Sequence, residues 1–139
     1  MSYLLDTNVV SETERKRPDS KVVEWLDIVD PTNVYLSALT IGEIKKGVSK
    51  LASGKRKAHI QNWLEDVRRH FGVRILPLTE PTFLVWGKMM AEFEKRGIVR
   101  PALDSLLEAT ALEHDLILVT RNVRNFQRSS VTILNPWED

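Results

Sequence analysis

The sequence predicts an α/β fold with a mainly parallel central sheet of about five strands and helices on both faces. Short apolar runs of strand length alternate with amphipathic segments of helix length, and a connection of helix length is what two parallel strands require. The strand-length runs are nearly continuous in apolar residues, which is typical of strands buried on both faces. No segment rich in Ser, Gly or Pro interrupts this alternation, so residues 1–139 are predicted to form a single domain.

The first half of the chain predicts two strands and four helices. Short unbroken apolar runs indicate the strands, and apolar residues that share one face indicate the helices. Capping residues, Gly and Pro mark the boundaries. In chain order the elements are a strand at Tyr3–Leu5, a short helix beginning near Val9, a helix capped by Asp19 or Ser20, the strand Val34–Ser37, a helix that Thr40 opens, and a long helix from about Lys55 to His70.

The second half predicts three further strands. Gly97 follows the basic pair Lys95-Arg96, as is typical of a helix C-terminus, and Pro101 suits the first turn of the next helix. In chain order the elements are the strand Val73–Pro77, a helix from Glu80 to Arg96, a helix from Pro101 to about His114, the strand Leu116–Val119, a short helix, and the strand Val131–Leu134.

The composition argues against several classes of protein. With 20 Lys and Arg against 19 Asp and Glu, the formal net charge of +1 favours no particular partner. No apolar run approaches the roughly 20 residues of a membrane span, and the N-terminus lacks the features of a signal peptide. The chain has no cysteine, which fits a reducing compartment. We therefore expect a cytoplasmic protein without a membrane association.

Polar groups at four places are expected to meet at one edge of the predicted sheet. They are Asp6 after the first strand, Glu43 and Asp104 near the starts of two helices, and Thr120-Arg121-Asn122 after the fourth strand. The carboxyl ends of parallel strands form the usual ligand crevice. Three carboxylates there would repel one another without a divalent cation, and hard oxygen ligands suit Mg²⁺ or Mn²⁺. Such a site could hydrolyse a phosphodiester with a metal-activated water.

Each of these residues also has a purely structural explanation. Asp6 is a good N-cap for the short helix that follows it. Glu43 fits the third position of a capping box with Thr40, and Asp104 in a first turn is stabilised by the helix dipole. Asn122 after a strand can be a capping residue in a turn. The combination, rather than any single residue, favours a functional site.

Five strings of the sequence carry a resemblance to a known family. They are Leu4–Asn8, Leu36–Glu43, Asp104–His114, Val119–Phe126 and Asn135–Trp137. Together they resemble the PIN-domain ribonucleases, and more narrowly the VapC toxins of bacterial type II toxin-antitoxin modules in their FitB-like branch. The resemblance implies a PIN-like α/β/α sandwich and an Mg²⁺- or Mn²⁺-dependent endoribonuclease that cleaves structured RNA, often transfer RNA.

The resemblance also implies partners. It predicts a small cognate antitoxin of the VapB or FitA type, which binds DNA, and either a homodimer or a toxin-antitoxin hetero-oligomer. In VapC proteins the helix pair that corresponds to Ile44–Leu64 forms a groove for the antitoxin. The sequence by itself locates neither the antitoxin groove nor the surface for a second copy of the chain.

The site positions of the family can be carried over one by one. Its three firmest acidic positions fall on Asp6, Glu43 and Asp104, which are the implied metal ligands. A fourth position, where relatives carry Asp or Asn, falls on Asn122 and completes the implied catalytic set. The supporting residues are Thr7, Asn8 and Thr120, and the candidates for RNA binding are Lys46, Arg121 and Arg124.

The chain departs from the family pattern at three positions. Asn122 is neutral, and Asn125 stands where many relatives have a second Asp, so a weaker second metal site is expected. Glu108 replaces the small residue usual in the family; it either restores charge to the site or is solvated, and we expect it to be solvated. These departures leave, as the runner-up, a catalytically weakened binding or regulatory module that acts with its antitoxin. A flap or single-strand DNA nuclease fits less well, because the chain lacks the insertions that would thread such a substrate.

Overall fold

The computed structural model describes residues 1–138 and contains one five-stranded sheet flanked by helices. The strands are β1 Tyr3–Leu5, β2 Val34–Ser37, β3 Ile75–Leu76, β4 Ile117–Val119 and β5 Ile133–Leu134. The helices are α1 Thr7–Glu12, α2 Ser20–Ile28, α3 Ala38–Lys50, α4 Lys55–Phe71, α5 Glu80–Lys95 and α6 Ala102–Glu113. Three short 3-10 turns cover Pro31–Asn33, Gly72–Arg74 and Val123–Phe126.

The strands run in the order β3-β2-β1-β4-β5, and every pair is parallel. β1 lies at the centre, with Tyr3 opposite Val34 of β2 and Leu5 opposite Val119 of β4. The predicted α/β class with a mainly parallel sheet of about five strands is therefore confirmed. Because all strands point the same way, the residues that follow β1, β2 and β4 meet at one edge of the sheet.

The core consists of one apolar layer on each main face of the sheet. Successive strand residues point to opposite faces, so Leu5 and Val119 pack on one side while Leu4 and Leu118 pack on the other. The first layer is completed by α1, α2, α3 and α4, and the second by α6 and the turn that carries Phe126. A third, smaller cluster joins α5 to α6.

Several predicted boundaries differ from the structure. β4 begins at Ile117 rather than Leu116, and β5 begins at Ile133 rather than Val131. Two further differences have clear local reasons. Ser37, not Thr40, caps α3, since its Oγ accepts a hydrogen bond of 3.0 Å from the Leu39 amide. Glu43 therefore lies in the second turn of α3, which rules out the predicted capping box with Thr40. The third strand is two residues long rather than five, because Gly72, at φ +52°, ends α4 and begins a 3-10 turn.

Length and hydropathy distinguish the helices within residues 1–138 from a membrane span. Among the helices of residues 1–138, none is both long enough and apolar enough to cross a bilayer.

The packing predicts a large loss of stability when a buried side chain of the second apolar layer is truncated. Leu118 is 0% exposed at the middle of β4, whereas Leu84 on α5 is 69% exposed. Leu118→Ala should lower the free energy of unfolding by about 2–5 kcal/mol, since it leaves a cavity in a close-packed layer. Leu84→Ala is the matched control and should change it by less than about 0.5 kcal/mol. Urea unfolding followed by circular dichroism measures both; equal losses would contradict this description of the core.

Candidate active site

Asp6 is the carboxylate at the end of the central strand, and both of its oxygens are held. Its residue surface is 8% exposed. Oδ1 accepts a hydrogen bond of 2.7 Å from the Thr7 amide, and Oδ2 accepts one of 2.8 Å from the Thr120 hydroxyl. Asp6 does cap α1, as the structural explanation predicts. The cap occupies one carboxylate oxygen and thereby orients the side chain rather than excluding a functional role.

Thr120 joins the ends of β1 and β4 through its fully buried hydroxyl. This hydroxyl has one proton, and it donates that proton to Asp6. It accepts hydrogen bonds from Asn8 Nδ2 at 3.3 Å and from the Asn122 amide at 3.0 Å. Asn8 Oδ1 in turn accepts from the Arg121 amide at 3.4 Å. The predicted supporting residues Asn8 and Thr120 thus lie in one network around Asp6.

Glu43 reaches the same network from α3. The Thr7 hydroxyl donates a hydrogen bond of 2.8 Å to Glu43 Oε1, and the Glu43 side chain is half-buried. Because the amide of Thr7 binds Asp6 and its hydroxyl binds Glu43, one residue fixes the relation between the two carboxylates.

Asp104 stands in the first turn of α6 and is half-buried. Asn125 Nδ2 donates a hydrogen bond of 3.2 Å to Asp104 Oδ2. Asn125 belongs to the 3-10 turn Val123–Phe126, which follows β4. Position 125 therefore provides a neutral donor that holds the neighbouring carboxylate.

Asn122 precedes that turn and is exposed. Its main-chain amide bonds Thr120, but its side chain does not cap the turn, so the capping explanation for Asn122 is wrong. Asn122 is thus tied to Thr120 through its main chain, and it also lines the cleft that contains Arg121 and Asn125.

Burial and mutual repulsion shape the electrostatics of the carboxylates. The pKa of Asp6 is raised, chiefly by burial; hydrogen bonds from Thr120 and the Thr7 amide oppose the rise, while Asp104 and Glu43 add to it by repulsion. Burial also raises the pKa of Asp104, against the hydrogen bond from Asn125 and the positive charge of Arg100. None of the three carboxylates forms an ion pair with a Lys, Arg or His of residues 1–138.

The donor chemistry of this site fits a hard divalent cation. The groups that could bind a cation here are three carboxylates and one side-chain amide, those of Asp6, Glu43, Asp104 and Asn122. Each would use an oxygen atom as its ligand, and hard oxygen ligands suit Mg²⁺ and Mn²⁺. No three His, Cys, Asp or Glu side chains in the part of the chain described form a ready-made cluster for one ion. Mg²⁺ keeps several of its waters and is usually bound directly by one or two carboxylates, so the remaining acid or acids of such a site would contact the ion through those waters.

Glu108 is the one acidic residue whose expected environment is wrong. It is not solvated but 1% exposed, and its carboxylate forms a bidentate ion pair with Arg100. The expectation fails because α6 is buried on almost all sides: Ser105 and the run Leu107–Ala111 are all buried. The apolar residues next to Glu108 were the available signal. Arg100 gave no signal of its own, since it precedes Pro101 in a short loop.

The predicted basic residues lie around this edge in different settings. Lys46 is exposed on α3, and Arg124 is exposed on the 3-10 turn. Arg121 places its guanidinium 5.3 Å from the centre of the Trp137 ring. Arg121 and Arg124 line a polar cleft of about 420 Å³ together with Asn122, Asn125 and Asn135. Cations and amides therefore flank the acidic centre on the β4 side.

Comparison with known proteins identifies the family to which this fold belongs. The model of the PIN domain family matches residues 3–130. Toxin FitB of Neisseria gonorrhoeae is 39% identical over 137 residues, which are 98% of this chain and 99% of the relative. VapC ribonuclease Y4jK of Sinorhizobium fredii is 35% identical over 97% of both chains. The crystal structure of FitAcB from Neisseria gonorrhoeae matches with a TM-score of 0.93 at 38% identity over 99% of both chains. The chain therefore belongs to the PIN domain family, in the group of the FitB and VapC toxins.

Proposed function

We propose that this protein is an Mg²⁺- or Mn²⁺-dependent endoribonuclease, the toxin of a type II toxin-antitoxin module that cleaves structured RNA such as transfer RNA. The observation that carries the proposal is the set of carboxylates at the carboxyl edge of the sheet. Asp6, Glu43 and Asp104 are each held by hydrogen bonds from neutral donors and have no ion-pair partner among the described residues. The ribonuclease and toxin names of the relatives support the same function.

The three carboxylates would hold the metal ion, with Asn122 as a further neutral ligand. When bound, such an ion lowers the pKa of a coordinated water and neutralises charge that builds on the phosphate. The protein's part is to hold its own ligands still. Thr120 and the Thr7 amide fix Asp6, while the Thr7 hydroxyl and Asn125 fix Glu43 and Asp104.

RNA binding falls to the cations on both sides of this centre. Lys46 follows Glu43 by less than one helical turn, and Arg124 lies on the turn that carries Asn125. Both side chains are exposed and can contact phosphates on either side of the bond to be cleaved. The guanidinium of Arg121 lies over the Trp137 ring. This contact orders the guanidinium at the polar cleft before RNA binds.

The antitoxin of this module would bind beside the acidic centre. A cleft of about 310 Å³ between α1, α3 and α4 has a largely apolar floor that includes Ile44, Ile60 and Trp63, and it extends to Thr7 and Glu43. An antitoxin segment with apolar anchors would fill this floor and cover Glu43 at the same time. Such binding would silence the nuclease by denying RNA access to the carboxylates. A homodimer stays a prediction.

Cleavage of total transfer RNA tests the main proposal. Antitoxin-free protein in Mg²⁺ or Mn²⁺ should give discrete fragments, which EDTA abolishes. Asp104→Asn should lower the rate at least about a hundredfold, because it removes a metal-binding charge while keeping the side-chain size. Asp66→Asn is the matched control on α4, where the exposed carboxylate pairs with Arg69; its rate should stay unchanged. Intact RNA from a folded protein that binds Mn²⁺ would contradict the proposal.

The neutral β4 side of the site motivates a second candidate, a weakened binding or regulatory module. Asn122 and Asn125 leave this side of the site without the charge that many relatives have. If the protein is an enzyme, Asn122→Asp should change an already measurable rate by less than about tenfold, since Asn and Asp offer similar oxygen ligands. Activity that appears only in Asn122→Asp would instead favour the second candidate. The same RNA assay on both proteins separates them.

The raised pKa of Asp104 predicts a stability that depends on pH and metal. A group with a raised folded-state pKa contributes its stability below the unfolded-state pKa and loses it as the pH rises through the folded-state value. In EDTA, Asp104→Asn should therefore unfold at a higher temperature than the wild type at neutral pH, with the gap closing towards acid pH. Added Mn²⁺ should stabilise the wild type but not the variant. Thermal unfolding between about pH 4 and about pH 8 measures this; a gap independent of pH would count against it.

A further inference from the structure

Arg100 lies two residues before α6, and its guanidinium is buried against Glu108. The two side chains are 2% and 1% exposed, with Nε 2.7 Å from Oε1 and Nη2 3.3 Å from Oε2. Nη1 donates to the main-chain oxygen of Asn125 at 2.9 Å, and Nη2 donates to that of Gln127, also at 2.9 Å. The planar guanidinium of Arg100 thus donates hydrogen bonds to one carboxylate and two main-chain carbonyls at the same time.

Two aromatic rings hold the guanidinium from other directions. Its central carbon is 4.5 Å from the centre of the Phe93 ring on α5 and 5.9 Å from that of Phe126 in the 3-10 turn. Phe126 itself is buried in the second apolar layer. Arg100 therefore links α5, α6 and the turn after β4 in one buried contact.

This contact leads directly to the acidic centre. Asn125 accepts from Arg100 through its main-chain oxygen and donates to Asp104 Oδ2 through its side chain at 3.2 Å. Asp104 and Glu108 are one helical turn apart on α6. Arg100 thus fastens the turn that carries Asn125 to the same helix that carries Asp104.

We propose that Arg100 is a positioning residue for the site: it fixes the Val123–Phe126 turn against α6 so that the Asn125 amide holds the Asp104 carboxylate in its metal-binding orientation. Glu108 is the counter-ion that makes a buried Arg100 tolerable and does not itself serve the site. This inference rests on the proposed function in so far as Asp104 is a metal ligand. The position of the turn is independent of that function.

A purely structural role for the ion pair makes a different prediction. Replacing both members of a buried ion pair by apolar side chains of similar size often preserves stability, whereas removing one member leaves an uncompensated charge. If Arg100 and Glu108 serve only the fold, the double variant Arg100→Met with Glu108→Met should bind metal and cleave RNA like the wild type. If Arg100 positions Asn125, the double variant should fold and still fail at the site.

The matched control is Arg74, which makes similar contacts at the opposite edge of the sheet. Its guanidinium donates to the main-chain oxygens of Pro31, Val34 and His70 and lies 5.0 Å from the centre of the Phe71 ring. Val34 begins β2, so these contacts lie at the amino ends of the strands. Arg74→Met removes these arginine hydrogen bonds and leaves the contacts of the acidic centre unchanged.

The first measurement is Mn²⁺ affinity, by titration calorimetry on antitoxin-free protein, together with kcat on RNA. The double variant should bind Mn²⁺ about ten- to hundredfold more weakly and lose kcat in similar proportion, as is typical when a partner of a metal ligand is lost. Asn125→Ala should have the same effect in the wild type and almost none in the double variant, because both changes break one chain of contacts. Arg74→Met should leave affinity and kcat unchanged. Wild-type affinity in the double variant, or equal losses from Asn125→Ala in both backgrounds, would overturn the inference.

Limited trypsin digestion tests the position of the turn without metal or RNA. The bond after Arg124 lies in the turn itself, and the double variant should be cut there at least about tenfold faster than the wild type or Arg74→Met. Unchanged cleavage at Arg124 would also overturn the inference. A wild type that neither binds Mn²⁺ nor cuts RNA, but whose turn is released in the double variant, would refute the metal-dependent nuclease and retain Arg100 as the residue that fixes the turn.

Discussion

The hydrogen bond from Thr120 to Asp6 is the interaction on which the arrangement of this protein depends. It joins the residues that follow the two central strands, and it is made inside the protein, where a carboxylate without partners would be costly. Together with the Thr7 amide it satisfies both oxygens of Asp6 but leaves the negative charge in place. Burial and the nearby acids then raise the pKa of Asp6. The fold thus holds a charge in position without neutralising it, which is the condition a cation site requires.

The other buried acids, Glu12 and Glu108, have cationic partners, so a buried carboxylate left unpaired within residues 1–138 is a feature of the sheet edge. Glu12 is buried and accepts hydrogen bonds from the Arg15 guanidinium and the Asp19 amide. Glu108 accepts from the Arg100 guanidinium. Both of these acids lie in pairs that compensate their charge, as buried ionised groups usually do. Asp6, Glu43 and Asp104 instead receive only hydroxyl and amide donors. Glu12 and Glu108 therefore have cationic partners within the protein, whereas the three acids at the sheet edge have none among residues 1–138 and could be neutralised by a bound cation.

The sequence specified the fold and the acidic centre more fully than it specified their supports. Unbroken apolar runs and helix-length connections sufficed for the parallel sheet, and parallel strands sufficed to gather Asp6, Glu43 and Asp104 at one edge. Boundaries were less predictable because both Ser37 and Thr40 can cap a helix, and the structure shows that the cap is Ser37. The apolar neighbours of Glu108 indicated its burial, but its ion-pair partner could not be predicted, because Arg100 lies eight residues earlier in a loop. Contacts between distant segments, such as Asn125 with Asp104, have no local signature at all.

The neutral side chains of Asn122 and Asn125 affect the geometry of the β4 side of the site as well as its charge. A second pair of carboxylates there would add repulsion to Asp104 and would need further cations to offset it. An amide at position 125 instead donates to Asp104, which opposes the rise of its pKa. That donor is useful only if the turn that carries it is rigid, because a mobile amide would lose more conformational entropy on bonding than one bond returns. The buried Arg100, with its bonds to two carbonyls of the same loop, supplies that rigidity. The neutral donor at the site and the buried ion pair beside it therefore work as one arrangement.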